Sequence, residues 1–164
     1  MSLDDIPVTT IEGRRASLAE YAGMTKLIVN VASRCGFTPQ YEQLEALHRR
    51  YAARGFTVLG FPSDQFQQEL ESDEAVAEYC STTWGVTFPM FARVAVNGND
   101  RSPVFAELTA APDEAGEAGD VRCNFEKFLV RPSGEVSRFR SATRPDDPAI
   151  VEQIEASVRP AATV

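Results

Sequence analysis

The chain has 164 residues, 43% of them hydrophobic and 9% aromatic, which suits a single domain with one sizeable core spanning residues 1–164. Sixteen basic against twenty-four acidic residues leave a net charge of -8, which repels phosphate backbones and anionic lipid and argues against nucleic-acid and membrane partners. The opening "MSLDDIPVTTIEGRR" carries acids where a secretory leader places bases, and Cys35, Cys80 and Cys123 are odd in number and widely spaced. A reduced cytoplasmic setting without a structural disulfide framework is therefore expected.

In chain order, "IPVTTIEGRRASL" alternates around Glu12-Gly13 as a short hairpin does. The apolar run at residues 27–31 suits an interior strand covered on both faces. A helix follows, with Thr38 as N-cap, Pro39 in the first helical position, and Tyr41, Leu44, Leu47 and Tyr51 at three- and four-residue steps. Gly55 ends it, and "FTVLGFP" at residues 56–62 is a second buried strand, parallel to the first because the crossover is long enough. After the polar turn "SDQFQQELE", a helix is expected over residues 72–82, capped by Ser72 or Asp73.

"FARVAVNGND" reads as a strand ending in an Asn-Gly turn and "SPVFAEL" as a short helix. "TAAPDEAGEAGD" has almost nothing to bury and reads as a mobile surface loop. "NFEKFLV" and "EVSRFR" flank "RPSG" as an antiparallel hairpin, and residues 148–158 form a closing helix. The order is that of an α/β protein with a mixed sheet between helices.

Cys35 falls at the carboxyl end of an interior parallel strand, where open α/β sheets place their ligands. The following helix points its free N–H groups and positive dipole end at that loop, which favours the thiolate. This location fits a nucleophile and a small buried hydrophobe equally. Gly36, Phe37 and Thr38 supply no second thiol, so a Cys-x-x-Cys dithiol is excluded.

The only histidine, His48, lies about 15 Å along the helix from Thr38 at about 1.5 Å per residue, too far to serve as a base for acyl transfer, and reads as an ordinary surface or half-buried residue. The remaining chemistry is attack on a peroxide O–O bond, leaving a sulfenic acid that needs a second thiol. Cys80, 45 residues on in "EAVAEYCSTTWG", is available; beside Val76 and Tyr79 it reads equally as a core position.

"NVASRCGFTPQYEQLEAL", "GFPSDQFQQE", "YCSTTWGVTFPMF" and "NFEKFLV" resemble, in order, the motifs of the glutathione peroxidase family, specifically its small cysteine-containing, thioredoxin-dependent type. The similarity spans residues 6–158. It implies a thioredoxin-like fold, with a central mixed β-sheet flanked by α-helices, and a peroxidase acting on hydrogen peroxide and organic hydroperoxides without metal or cofactor. It also implies peroxidatic Cys35, resolving Cys80, and supporting amides at Gln68 and Asn124 that can stabilise charge on the displaced oxygen. Thioredoxin is the implied reductant; the rival readings are glutathione as reductant, or a peroxide sensor that passes its disulfide to a partner protein.

Four departures from the pattern bear on the site. The family's "FPCNQFGxQE" stands here as "FPSDQFQQE", with Ser63, Asp64 and one residue fewer, which leaves Gln67 and Gln65 as alternatives to Gln68. The tryptophan expected before "NFEKF" is Cys123, which implies a looser pocket or, more sharply, a thiol able to condense with oxidised Cys35 in competition with Cys80. Trp84 reads as a core aromatic rather than a substitute, and Arg34 as solvated. Residues 110–120 lack the longer insertion of tetrameric members, which favours a monomer with an exposed site that a protein reductant can reach. A disulfide needs Cα atoms within about 7 Å, and Cys35 and Cys80 occupy separate elements, so the Cys80 helix is expected to unwind partly in each cycle.

Overall fold

The computed structural model describes residues 2–160. The predicted hairpin forms from β1 (Pro7–Thr9) and β2 (Arg15–Ser17), antiparallel with Val8 opposite Ala16. The main sheet contains β3 (Thr25–Val31), β4 (Phe56–Pro62), β5 (Lys127–Val130) and β6 (Val136–Phe139), in the spatial order β4-β3-β5-β6. β3 lies parallel to β4, with Val31 opposite Pro62, and antiparallel to β5, with Ile28 opposite Phe128.

The apolar run of β3 is buried throughout because it faces two cores with the two-residue period of a strand. Leu27, Val29 and Val31 join one core with Tyr41, Leu44 and Tyr51 of α1 (Gln40–Tyr51), Val76 and Cys80 of α2 (Asp73–Trp84), and Ile150 and Ile154 of α4 (Pro148–Ser157). Ile28 faces the other with Leu59, Phe61, and Val104, Phe105 and Leu108 of α3 (Pro103–Leu108). Gly55, at φ 86°, closes the short 3-10 turn after α1, and Ser72 caps α2 by accepting the Ala75 N–H at 3.1 Å.

Three expectations are corrected. Residues 91–100 form isolated bridges instead of a strand: Phe91 meets Thr10, Ala95 meets Arg101, and just before them Met90 meets Gly60. Pro89 has no N–H to extend the ladder, and Gln65 Oε1 takes the N–H groups of Val96 and Asn97 at 2.7 and 2.9 Å. The Asn-Gly turn itself is present, with Gly98 at φ 83°. Gly60 permits the close approach here, since a Cβ on it would lie 2.5 Å from Met90 Sδ.

Thr38 does not cap α1, which begins after Pro39; its hydroxyl turns back to accept the Cys35 N–H at 2.9 Å and donate to the Ala32 carbonyl at 2.9 Å. The loop at residues 109–120 is largely exposed but tethered. Arg138, its side chain fully buried on β6, donates to the carbonyls of Thr109, Ala111, Gly119 and Asp120 at 2.8–3.2 Å and pairs with buried Glu126. Arg140 holds Asp113 at 2.7 Å.

Candidate active site

Three loops converge at the carboxyl ends of β3 and β4. The first leaves β3 through Ala32 and Ser33 and presents Cys35 half-buried, its sulfur accepting the Phe37 N–H at 3.3 Å. The second, after β4, is stapled to the first: Arg34 donates its backbone N–H to the Gln68 carbonyl at 2.8 Å, and Ser33 to Glu69 Oε1 at 3.1 Å. Gln67 turns the chain there at φ 59°.

The third loop precedes β5. Asn30, the one polar side chain in the core run of β3, donates to the Cys123 carbonyl at 3.0 Å and accepts the Glu126 N–H at 3.1 Å. Phe125, at φ 65°, donates its N–H to the Asn30 carbonyl at 2.6 Å. This clamp brings fully buried Asn124 against the second loop, its amide donating to Gln68 Oε1 at 2.9 Å while its own Oδ1 has no partner among the described residues.

The structure thus brings Cys35, Gln68 and Asn124 together. Gln65 is committed to the 96–97 backbone and Gln67 is exposed, so Gln68 is the glutamine at this junction. Cys123 also arrives here, close enough to act on the Cys35 thiol. Cys80 does not. It is buried on α2, where burial, with the field of Glu69 adding to it, pushes its thiol up to about 11. A cavity of about 490 Å³ opens beside it, lined by Ile11, Ala77, Val86 and Phe88 among others.

Burial raises the Cys35 thiol above its ordinary value, the Phe37 N–H and the Asn124 amide pull it down, and the neighbouring Cys123 adds to the rise. The expectation that the α1 terminus favours the thiolate is therefore not met. The helix starts at Gln40, beyond an intervening turn, and among the described residues no cation bears on the sulfur, Arg34 being exposed. Asn30, Glu69 and the backbonding Thr38 escaped sequence reasoning; a lone asparagine inside an apolar strand was the available signal. His48 is structural, accepting the Val58 N–H at 3.3 Å, and Trp84 stacks on Tyr41 with ring centroids 6.2 Å apart. Among the described residues no helix is long and apolar enough to cross a membrane, and no cluster of ligating side chains could hold a metal.

The glutathione peroxidase family model matches residues 3–109. The chain is 46% identical to the thioredoxin/glutathione peroxidase BtuE of Escherichia coli, over 90% of this chain and 92% of that protein. It is 48% identical to the hydroperoxy fatty acid reductase gpx1 of Synechocystis, over 84% and 85%. It is 44% identical to the glutathione peroxidase-like peroxiredoxin HYR1 of Saccharomyces cerevisiae, over 88% of each. The structure superposes on the crystal structure of Trgpx in apo form with a TM-score of 0.76 at 33% identity, over 98% of this chain and 99% of that one. A thioredoxin-family thiol:disulfide interchange protein from Chlorobium tepidum matches with a TM-score of 0.63 at 18% identity, over 93% and 92%, which fixes the fold as thioredoxin-like. With that fold and these motifs around Cys35, the chain belongs to the glutathione peroxidase family.

Proposed function

We propose that Cys35 is the nucleophile of a peroxidase that reduces hydrogen peroxide and organic hydroperoxides, with Cys80 as resolving thiol and thioredoxin as reductant. The observation that carries this reading is the convergence of the Phe37 N–H, Asn124 and Gln68 on the junction that presents Cys35. Cys35 sulfur attacks one peroxide oxygen, the O–O bond breaks, and the thiol proton ends on the departing oxygen as water or alcohol. The amide groups and the Phe37 N–H stabilise charge on sulfur and on that oxygen as it develops. The unpartnered Asn124 Oδ1 offers an acceptor to the peroxide O–H or to the sulfenic acid that results.

Cys80 then condenses with the sulfenic sulfur, releasing water. A disulfide needs Cα atoms within about 7 Å, so the buried α2 thiol reaches Cys35 only when part of α2 unwinds, and the adjoining cavity gives that segment room. Thioredoxin as reductant is supported by the printed name of one relative, the thioredoxin/glutathione peroxidase BtuE, which names glutathione beside it. Against glutathione, Arg138 and Arg140, which meet Glu126 beside the third loop, are already spent on Glu126, Asp113 and loop carbonyls, and Arg122 within that loop pairs with Glu117. The short tethered loop at 109–120 favours a monomer, and three widely spaced cysteines, too few and too odd in number for a disulfide framework, favour a cytoplasmic setting.

The test is NADPH consumption with hydrogen peroxide, coupled in parallel to thioredoxin with its reductase and to glutathione with its reductase. Sustained turnover with thioredoxin, abolished by Cys35→Ser, supports the reading. Turnover with glutathione alone replaces the reductant, and a single stoichiometric oxidation without turnover makes the protein a sensor.

A further inference from the structure

We propose that Cys123 is a second resolving cysteine, which condenses with oxidised Cys35 in the folded arrangement of the reduced protein, without movement of α2. The inference rests on Cys35 as the peroxidatic nucleophile and concerns the fate of its sulfenic acid.

Both cysteines are half-buried, and Cys123 lies close enough to Cys35 to act on its thiol. The approach is built in by backbone clamps on both sides. Asn30 holds the Cys123 carbonyl at 3.0 Å, and the N–H groups of Phe125 and Glu126 are held by Asn30 at 2.6 and 3.1 Å. The next residue, Asn124, is tied to Gln68, whose carbonyl takes the Arg34 N–H immediately before Cys35. Cys80 by contrast is 2% exposed in the middle of a twelve-residue helix. Of the two thiols, Cys123 is therefore the one that can condense without movement of α2.

The step balances within the site. Cys123 sulfur attacks Cys35 sulfur, the S–S bond forms and the Cys35 S–O bond breaks. The hydroxide leaves with the Cys123 proton as water; Cys123 is oxidised and the sulfenic sulfur of Cys35 is reduced. An external dithiol of the thioredoxin class then attacks the disulfide and restores both thiols.

The decisive experiment uses Cys80→Ser, with Cys80→Ala as a second variant because position 80 is in the core. Each is reduced, treated with one equivalent of hydrogen peroxide, alkylated, and mapped by mass spectrometry without reduction. The expected result is a Cys35–Cys123 cross-linked peptide and loss of both remaining thiols. In the Cys80→Ser/Cys123→Ser double variant, the expected product is a Cys35 sulfenic acid trapped by dimedone. Cys35 recovered as sulfenic or sulfinic acid in the single variants, with Cys123 still open to alkylation, overturns this inference and leaves the peroxidase reading standing. Cys35 recovered as an unreacted thiol overturns both.

Discussion

Asn30 and Cys123, 93 residues apart in sequence, are joined by a 3.0 Å hydrogen bond from the buried side-chain amide to the backbone carbonyl. The same side chain accepts the Glu126 N–H, so replacing it by leucine strands two backbone groups in a dry site. Each stranded group costs about 1–3 kcal/mol. Asn30→Leu is expected to lower unfolding stability in urea by that order and, by letting the Asn124 loop shift, to reduce peroxidase kcat/KM on the order of 10²-fold. An unfolding midpoint and kcat/KM equal to wild type would show that the clamp does not position the site.

The raised Cys35 thiol fixes the sign of the pH dependence. Below its pKa the thiolate fraction grows tenfold per pH unit, so the second-order rate with hydrogen peroxide climbs through neutral pH and levels only above the ordinary thiol range. Asn124 opposes the rise, so Asn124→Ala moves the levelling point to still higher pH and lowers the neutral rate by about 10²-fold. Stopped-flow rates between pH 5 and 10 measure both effects. A wild-type rate already flat at pH 6 contradicts this electrostatic picture.

Cys80, with its thiol pushed up to about 11 by burial, is expected to be the last of the three cysteines alkylated by iodoacetamide in the reduced protein. When Cys80 pairs with Cys35 the residues of α2 must open. In a Cys123→Ser protein oxidised by one equivalent of peroxide, amide exchange should quicken over Asp73–Trp84, and the emission of Trp84, stacked on Tyr41, should change. Unchanged exchange in a protein proven to hold the Cys35–Cys80 disulfide would rule out the unwinding step.

Arg138 and Glu126 are both fully buried and paired at 2.8 Å, and Arg138 also holds four carbonyls of the 109–120 segment. Removing one partner of such a pair typically costs about 3–5 kcal/mol, because the other charge is left in the dry interior. Arg138→Met is expected to lower stability by that order and to open residues 109–120 to limited proteolysis. A protease-resistant loop in the variant would show that the tether is dispensable.

The elements legible in the sequence were those written in local pattern. The alternation around Glu12-Gly13, the apolar runs of β3 and β4, the Ser72 cap and the Gly55 stop each depend on residues a few positions apart, and all appear where expected. What escaped depends on distant partners. Thr38 has the right identity for a cap but finds the Cys35 N–H instead, and "FARVAVNGND" has strand composition but loses its ladder to Gln65. Residues 109–120 look free until Arg138 is seen beneath them. Within the site, the position of Cys35 was readable from its strand end, whereas its junction with Gln68 and Asn124 was carried by the family resemblance alone. The direction of its pKa shift needed the burial and donors that only the folded chain supplies.

The most direct measurement is a thiol count on the reduced protein before and after one equivalent of hydrogen peroxide, with the remaining thiols mapped by alkylation, in wild type and in Cys35→Ser. The account predicts that wild type loses two of its three thiols, always including Cys35, and that Cys35→Ser keeps both of its own. Full alkylation of Cys35 after peroxide treatment, or equal loss of thiols in Cys35→Ser, would contradict it.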